Sequence, residues 1–158
     1  MGRSRGGLTT KIHALVDAER RPIRLKLTEG QAHDGRSAAD MFETVKAAHI
    51  LLADRAYDGD ALRAAMAERG AWANIRAVPN RVKAFLFSAW VYRQRNAVER
   101  SFNKLRHFRA VATRHDKRVD NFLASVQLAS IRIWLGSFES VTKDGPFISA
   151  AAVWSFGA

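Results

Sequence analysis

Four consecutive apolar residues, Ile50, Leu51, Leu52 and Ala53, stop abruptly at Asp54. A run this short and without a polar break suits a strand buried on both faces, and such strands belong to sheets covered by helices on either side. The rest of the chain must then supply neighbouring strands and two covering layers. Residues 10–16 alternate, with Thr10, Ile12, Ala14 and Val16 on one side and Lys11, His13 and Leu15 on the other. Residues 23–28 alternate again after a polar turn, so the two segments predict a hairpin. Loop chemistry over 28–34 leads to an N-cap at His33 or Asp34. A helix is predicted over 37–47, with Ala38, Met41, Phe42 and Val45 on one stripe.

Beyond Asp54, a helix over 60–69 ends at Gly70 in a C-cap position, and a strand over 73–78 is closed by Pro79 and Asn80. Residues 81–89 read as a basic loop. Helical patterns cover 90–107 and 118–135, and the second is apolar on nearly every side, which predicts burial. Residues from Gly136 on show no period, so 137–158 are left as a tail without assigned structure. The order of elements implies an α/β fold, a mixed sheet covered by helices with an antiparallel hairpin at one end. At 158 residues this is one domain.

Composition narrows the function. Twenty-six Lys and Arg against fifteen Asp and Glu leave a net charge of +11, well beyond what solubility requires, and point to a polyanionic partner, nucleic acid first. The absence of cysteine removes disulfides, thiolate metal sites and a cysteine nucleophile together. The basic amino terminus runs into Leu8-Thr9-Thr10-Lys11 without an apolar stretch, which argues against a secretory signal. The most apolar segment, 122–135, is broken by Ser125, Gln127, Ser130 and Arg132 and is too short to span a membrane.

Two acids stand out by position. Asp54 follows the buried strand, where open α/β sheets present functional groups. Glu99 lies on the predicted 90–107 helix, where Tyr92, Arg95, Glu99 and Arg106 fall within about 60° of one another. Val91, Val98, Phe102 and Leu105 form an adjacent apolar stripe, and Arg93, Arg100, Lys104 and His107 a third face suited to solvent or phosphate. Taken singly, such an Asp is commonly a turn or cap residue and such a Glu a surface ion pair. The pairing of both with nine Lys or Arg against two acids over 91–118 favours chemistry on DNA. The five histidines share no metal-ligand spacing and read as structural or phosphate-facing. The tryptophans Trp72, Trp90, Trp134 and Trp154 are scattered and read as core packing rather than base stacking. Gly6 and Gly7 read as a flexible lead-in to the first strand.

The segments 6–14, 30–34, 53–58 and 98–109 together resemble the catalytic half of bacterial insertion-sequence transposases of the DDE type, insertion-sequence family five above all. Tyr92, Arg95, Glu99 and Arg106, with two, three and six residues between them, match that group's signature, Arg106 standing where Lys is usual. The resemblance spans residues 4–135. It implies a ribonuclease H-like domain over 1–136 in which carboxylates hold two Mg²⁺ ions that cut DNA and join it to a target. Asp54 matches the second carboxylate and Glu99 the third, both as catalytic and metal-ligating residues, while Tyr92, Arg95 and Arg106 would contact DNA, joined by Arg93, Arg100 and Lys104.

By the same resemblance the first catalytic Asp lies on a central strand upstream of Gly6, which this chain lacks. The fold is therefore expected to be partial, with unpaired ladder groups beside the hairpin and the Asp54 strand, and the chain is expected to be inactive alone. Implied partners are double-stranded DNA and an upstream reading-frame product or full-length transposase, in a cytoplasmic, nucleoid-associated setting. The alternatives are a non-catalytic DNA-binding protein or transposition inhibitor, and a general basic RNA-binding protein.

Overall fold

A computed structural model describes the backbone of residues 2–4, 7–37, 39–113, 118–138 and 148–157, and the side chains of residues 9–35, 39–113 and 118–136. Ala38 and His115 lie outside the described residues. The strands are β1 (Gly2–Ser4), β2 (Gly7–Val16), β3 (Pro22–Glu29), β4 (Ile50–Ala53), β5 (Trp72–Ile75) and β6 (Ile148–Gly157). The helices are α1 (Asp34–Ser37), α2 (Asp60–Glu68), α3 (Ala89–Tyr92), α4 (Asn96–Arg106), α5 (Arg109–Ala112) and α6 (Val119–Phe138). All six strands join one mixed sheet in the order β1-β2-β6-β4-β5, with β3 also paired to β2.

The predicted hairpin is present. Lys11 pairs with Thr28, Ile12 with Leu27 and His13 with Lys26 in the antiparallel register of β2 and β3. The lead-in read as flexible is in part a second hairpin, because Gly2, Arg3 and Ser4 pair with Thr9, Leu8 and Gly7. β4 is buried along its centre and splits its residues between two cores. Leu52 packs with Ile12, Ala14, Val16, Val98, Phe102 and Phe122. Leu51 and Ala53 pack on the other side with Leu15, Phe42, Tyr57, Met66 and Ile75. Successive side chains of a strand alternate faces, so a short unbroken apolar run is what two such cores demand.

The structure corrects the expected gap beside β4. Strand β6, drawn from the segment to which the sequence assigns no structure, lies between β2 and β4. It runs antiparallel to β2, with Thr9 opposite Gly157 and Val16 opposite Ala150, and parallel to β4, with Ile50 opposite Ile148 and Ala53 opposite Ala151. The ladder groups on the inner edges of β2 and β4 thus find partners in a carboxy-terminal strand.

Other differences have local causes. The helix expected over 37–47 is a short α1 followed by a 3₁₀ segment, Ala39–Thr44, yet Met41, Phe42 and Val45 are buried as the stripe predicts. A segment this short is held by packing rather than by its own ladder, so the tighter winding is tolerated. The helix expected over 90–107 is divided into α3, a 3₁₀ turn at Arg93–Arg95, and α4. α6 is not buried all round. Phe122, Val126, Ala129 and Ile133 face the core, while Leu128 is 67% exposed and Ile131 and Leu135 are also solvent-facing. α2 ends as expected, with Gly70 at φ +67°, a left-handed conformation that suits glycine.

β5 stops at Ile75 rather than Val78, level with the end of β4 at Ala53, and the Val78 amide is taken by a side chain instead. Val78 N–H donates to Asp58 Oδ2 at 2.8 Å. The Asp58 side chain is fully buried and also accepts from Arg63 Nε at 2.9 Å and Arg81 Nε at 2.8 Å. Burial alone would push this carboxyl up, but the Val78 amide and the two guanidiniums outweigh it and hold the carboxyl below its usual range. Arg63 further donates to the carbonyls of Ala73 and Ile75. The basic loop after β5 is therefore tied down by two of its neighbours' charges rather than left to solvent.

His13, on β2, is fully buried, with Nδ1 2.9 Å from the Tyr57 hydroxyl and Nε2 2.7 Å from Thr28 Oγ1. A neutral imidazole donates through one nitrogen and accepts at the other, and either hydroxyl can answer.

Two outcomes are expected. Removing residues 148–157 leaves β2 and β4 without their shared neighbour and abolishes the cooperative thermal transition followed by far-ultraviolet circular dichroism; an unchanged melt would mean that β6 does not hold the sheet together. Burial lowers the His13 pKa from 6.5 to about 4. The unfolded chain therefore binds a proton at this residue that the folded chain refuses, and stability falls as pH drops from about 6.5 to about 4, by about 3 kcal/mol in full. Urea titrations across that window should give a shallower pH slope for His13→Gln than for the native chain, and equal slopes would assign the effect to other groups.

Candidate active site and nucleic-acid face

The candidate site forms where β4 ends. Asp54 is the first residue past the strand, and a 3₁₀ turn, Arg55–Tyr57, follows it at once. Tyr57 N–H donates to the Asp54 carbonyl at 2.9 Å, and the Tyr57 hydroxyl is anchored on His13. The Tyr57 ring also meets Phe42 edge to face, with centroids 5.6 Å apart. The turn is thus fixed from below by a buried aromatic while the Asp54 carboxylate stays partly accessible.

α4 brings the second acid. Val98, Phe102 and Leu105 seat the helix on the sheet, which leaves Glu99 on an exposed row beside that stripe. Arg95, in the 3₁₀ turn ahead of α4, joins the two acids. Its Nη1 lies 2.8 Å from Asp54 Oδ1 and its Nη2 2.6 Å from Glu99 Oε1. Its guanidinium carbon also lies 5.8 Å from the centre of the Tyr92 ring, close enough for a cation–π contact. Burial pushes the Asp54 carboxyl above its usual range. Arg95 opposes that shift, while the charges of Glu99 and Asp34 push the same way as burial. Tyr92 is raised too, chiefly by burial, and its ring packs on Phe87 with centroids 5.2 Å apart.

Asp54, Arg95, Glu99 and Tyr92 are therefore brought together. Arg93, Arg100, Lys104 and Arg106 are exposed along the 3₁₀ turn and α4, Arg106 two helical turns beyond Glu99. Asp34, which sequence reasoning leaves out of the site, stands near enough for its charge to act on Asp54 and Tyr57. It pairs with Lys11 at 2.7 Å, and Lys11 also donates to the Ala32 carbonyl. The turn before it passes so close to β2 that a Cβ at Gly30 would overlap Thr9 Oγ1. The signal for Asp34 is in the sequence as Gly30 and Asp34 on one side and Lys11 on the other, but nothing local says that they meet.

The histidine reading holds for His13, which is structural. The reading of the tryptophans as core packing is corrected: Trp72 and Trp134 are half-buried and belong to neither core. Trp134 donates from Nε1 to the Pro22 carbonyl at 2.8 Å beneath the Arg21 guanidinium, whereas Trp90 is 70% exposed and packs in no core. Trp154 lies outside the described side chains. Among the described residues, no group of three or more His, Asp or Glu could hold a metal ion, and no helix is long and apolar enough to cross a membrane.

A protein of Brucella ovis described as a transposase for insertion sequence element IS6501 is 38% identical over 129 residues, 81% of this chain and 99% of that protein. No solved structure matches. The family described as the transposase DDE domain matches residues 2–134, carrying both acids and the arginine between them, and the chain belongs to that family.

Proposed function

We infer that this chain is the catalytic portion of an insertion-sequence transposase, acting on double-stranded DNA by divalent-metal-dependent strand cleavage and transfer. The observation that carries the reading is the convergence of Asp54 and Glu99 on Arg95. Carboxylate oxygens are hard donors of the kind Mg²⁺ prefers, and a carboxyl raised by burial and by two neighbouring acids gains from added positive charge. The two acids fit a divalent cation as a partial ligand set. Held by these acids, Mg²⁺ would supply the charge that polarises a phosphoryl oxygen.

The chain's own residues would do the rest. Arg95, with five donors in a fork, can turn one edge to a phosphate oxygen. Tyr92 backs it, and Arg93, Arg100, Lys104 and Arg106 would hold the flanking backbone. The strand order and directions support a ribonuclease H-like arrangement over residues 1–136, completed by β6 from the segment 137–158. Because residues 148–157 include no Asp or Glu, the strand beside β4 adds no third acid. The chain alone would therefore bind DNA without cutting it, and cleavage would require a partner such as an upstream reading-frame product or a full-length transposase. The setting is cytoplasmic, at the nucleoid. A transposition inhibitor is the second reading, favoured by the same lack of acid on β6.

Binding to a labelled duplex should weaken with salt, log affinity falling against log salt with a slope of about −3 to −4 if four cations of this face each meet a phosphate; a flat dependence would remove DNA as the partner. With Mg²⁺ the chain alone should leave supercoiled plasmid intact. Once a full-length relative restores cutting, Asp54→Ala or Glu99→Ala introduced into both chains should abolish it and leave duplex affinity within about twofold, because a group that acts on the transition state adds little to ground-state binding. Nicking that survives either substitution would take that residue out of the site.

A further inference from the structure

We propose that Trp90 is a base-stacking residue, against which an unpaired base of the DNA held at the Asp54–Arg95–Glu99 site lies flat; the proposal rests on the DNA reading above and names a contact within it. Trp90 is exposed but not loosely attached. The residue that opens its helix, Ser88, is locked to the buried Asn74 of β5 by two reciprocal bonds, Ser88 N–H to Asn74 Oδ1 at 2.9 Å and Asn74 Nδ2 to the Ser88 carbonyl at 3.0 Å. Ser88 then caps α3 through its hydroxyl. The indole is thus carried into solvent from a backbone anchored on the sheet, so little backbone freedom remains to be lost when a ligand stacks on it.

Its surroundings select the ligand. Leu86 and Val82, in the preceding loop, are also exposed, and the stretch 76–109 contains nine Lys and Arg against one acid, Glu99. Apolar and aromatic surface set among cations of one sign fits a partner with flat uncharged faces joined by phosphates, which is a nucleic acid strand with its bases unstacked. On α3, Trp90 shares its side with Arg93 one turn on, while Tyr92 turns inward to Phe87 and Arg95. A strand whose phosphate meets Arg93 can therefore lay a base on Trp90. Paired bases inside a duplex expose no face for this contact, so the preference must be for DNA that is already open.

The test compares two fluorescein-labelled DNAs by anisotropy at several salt concentrations, a blunt duplex and the same duplex with a four-nucleotide unpaired tail. The native chain should favour the tailed DNA. Trp90→Ala should lose about tenfold on the tailed DNA at every salt concentration with the salt slope unchanged, and should stay within twofold on the blunt duplex. Trp90→Phe should keep most of the affinity, and the melting temperature should not move, because the side chain packs in no core. Equal losses on both DNAs, no loss on either, or a loss seen only as weaker self-association in sedimentation would overturn the proposal, the last by assigning the face to a protein partner. Failure of the native chain to bind either DNA would overturn the DNA reading itself.

Discussion

Burial of β4 on both faces is the constraint from which the arrangement follows. Leu52 needs a core on one side and Leu51 and Ala53 need another. That demand recruits α4 and α6 to one face and α2 with the Ala39–Thr44 segment to the other. It also requires a paired strand along each edge, since a doubly covered strand has no water for its amides. β5 fills one edge and β6 the other. The first residue free to leave this enclosure is Asp54, and it emerges beside α4 because α4 is what covers Leu52.

The positive charge of the chain has two uses, and only one faces outward. Arg63 and Arg81 are turned inward onto Asp58, where each also lies near the Phe85 ring. A buried carboxylate with two guanidiniums and a backbone amide is a costly group to desolvate, so its presence signals geometry rather than stability. It holds the loop that follows β5, and so fixes where α3 begins. Counting cations from composition alone overstates what is available to DNA.

Elements with an unbroken local pattern were legible in the sequence. The hairpin alternates over six or more residues, β4 is a bare apolar run, and α2 has Gly70 to stop it. What escaped depends on partners distant in the chain. Val78 reads as strand until the Asp58 carboxylate takes its amide. β6 shows no alternation in its sequence, and its neighbours β2 and β4 lie more than ninety residues away. Trp90 reads as core by residue type, and only the lock between Ser88 and Asn74 shows that it is held outward. In the candidate site, Asp54 and Glu99 were visible from position, whereas their meeting through Arg95 required the break between α3 and α4.

That break does more than bend a helix. An arginine paired with a glutamate four residues on, on the surface of a regular helix, contributes about 0.3 to 0.5 kcal/mol. Arg95 lies instead in a 3₁₀ turn, with its side chain 21% exposed and its second donor edge turned across to Asp54. The guanidinium thereby lowers the cost of bringing two acids to one place. A phosphate arriving at the same point adds negative charge to a cluster that already holds two carboxylates and one arginine. Further positive charge, such as that of the cations along α4, would offset it. The folded cluster holds two acids to one base, so an added cation would be accommodated there more readily than an added anion.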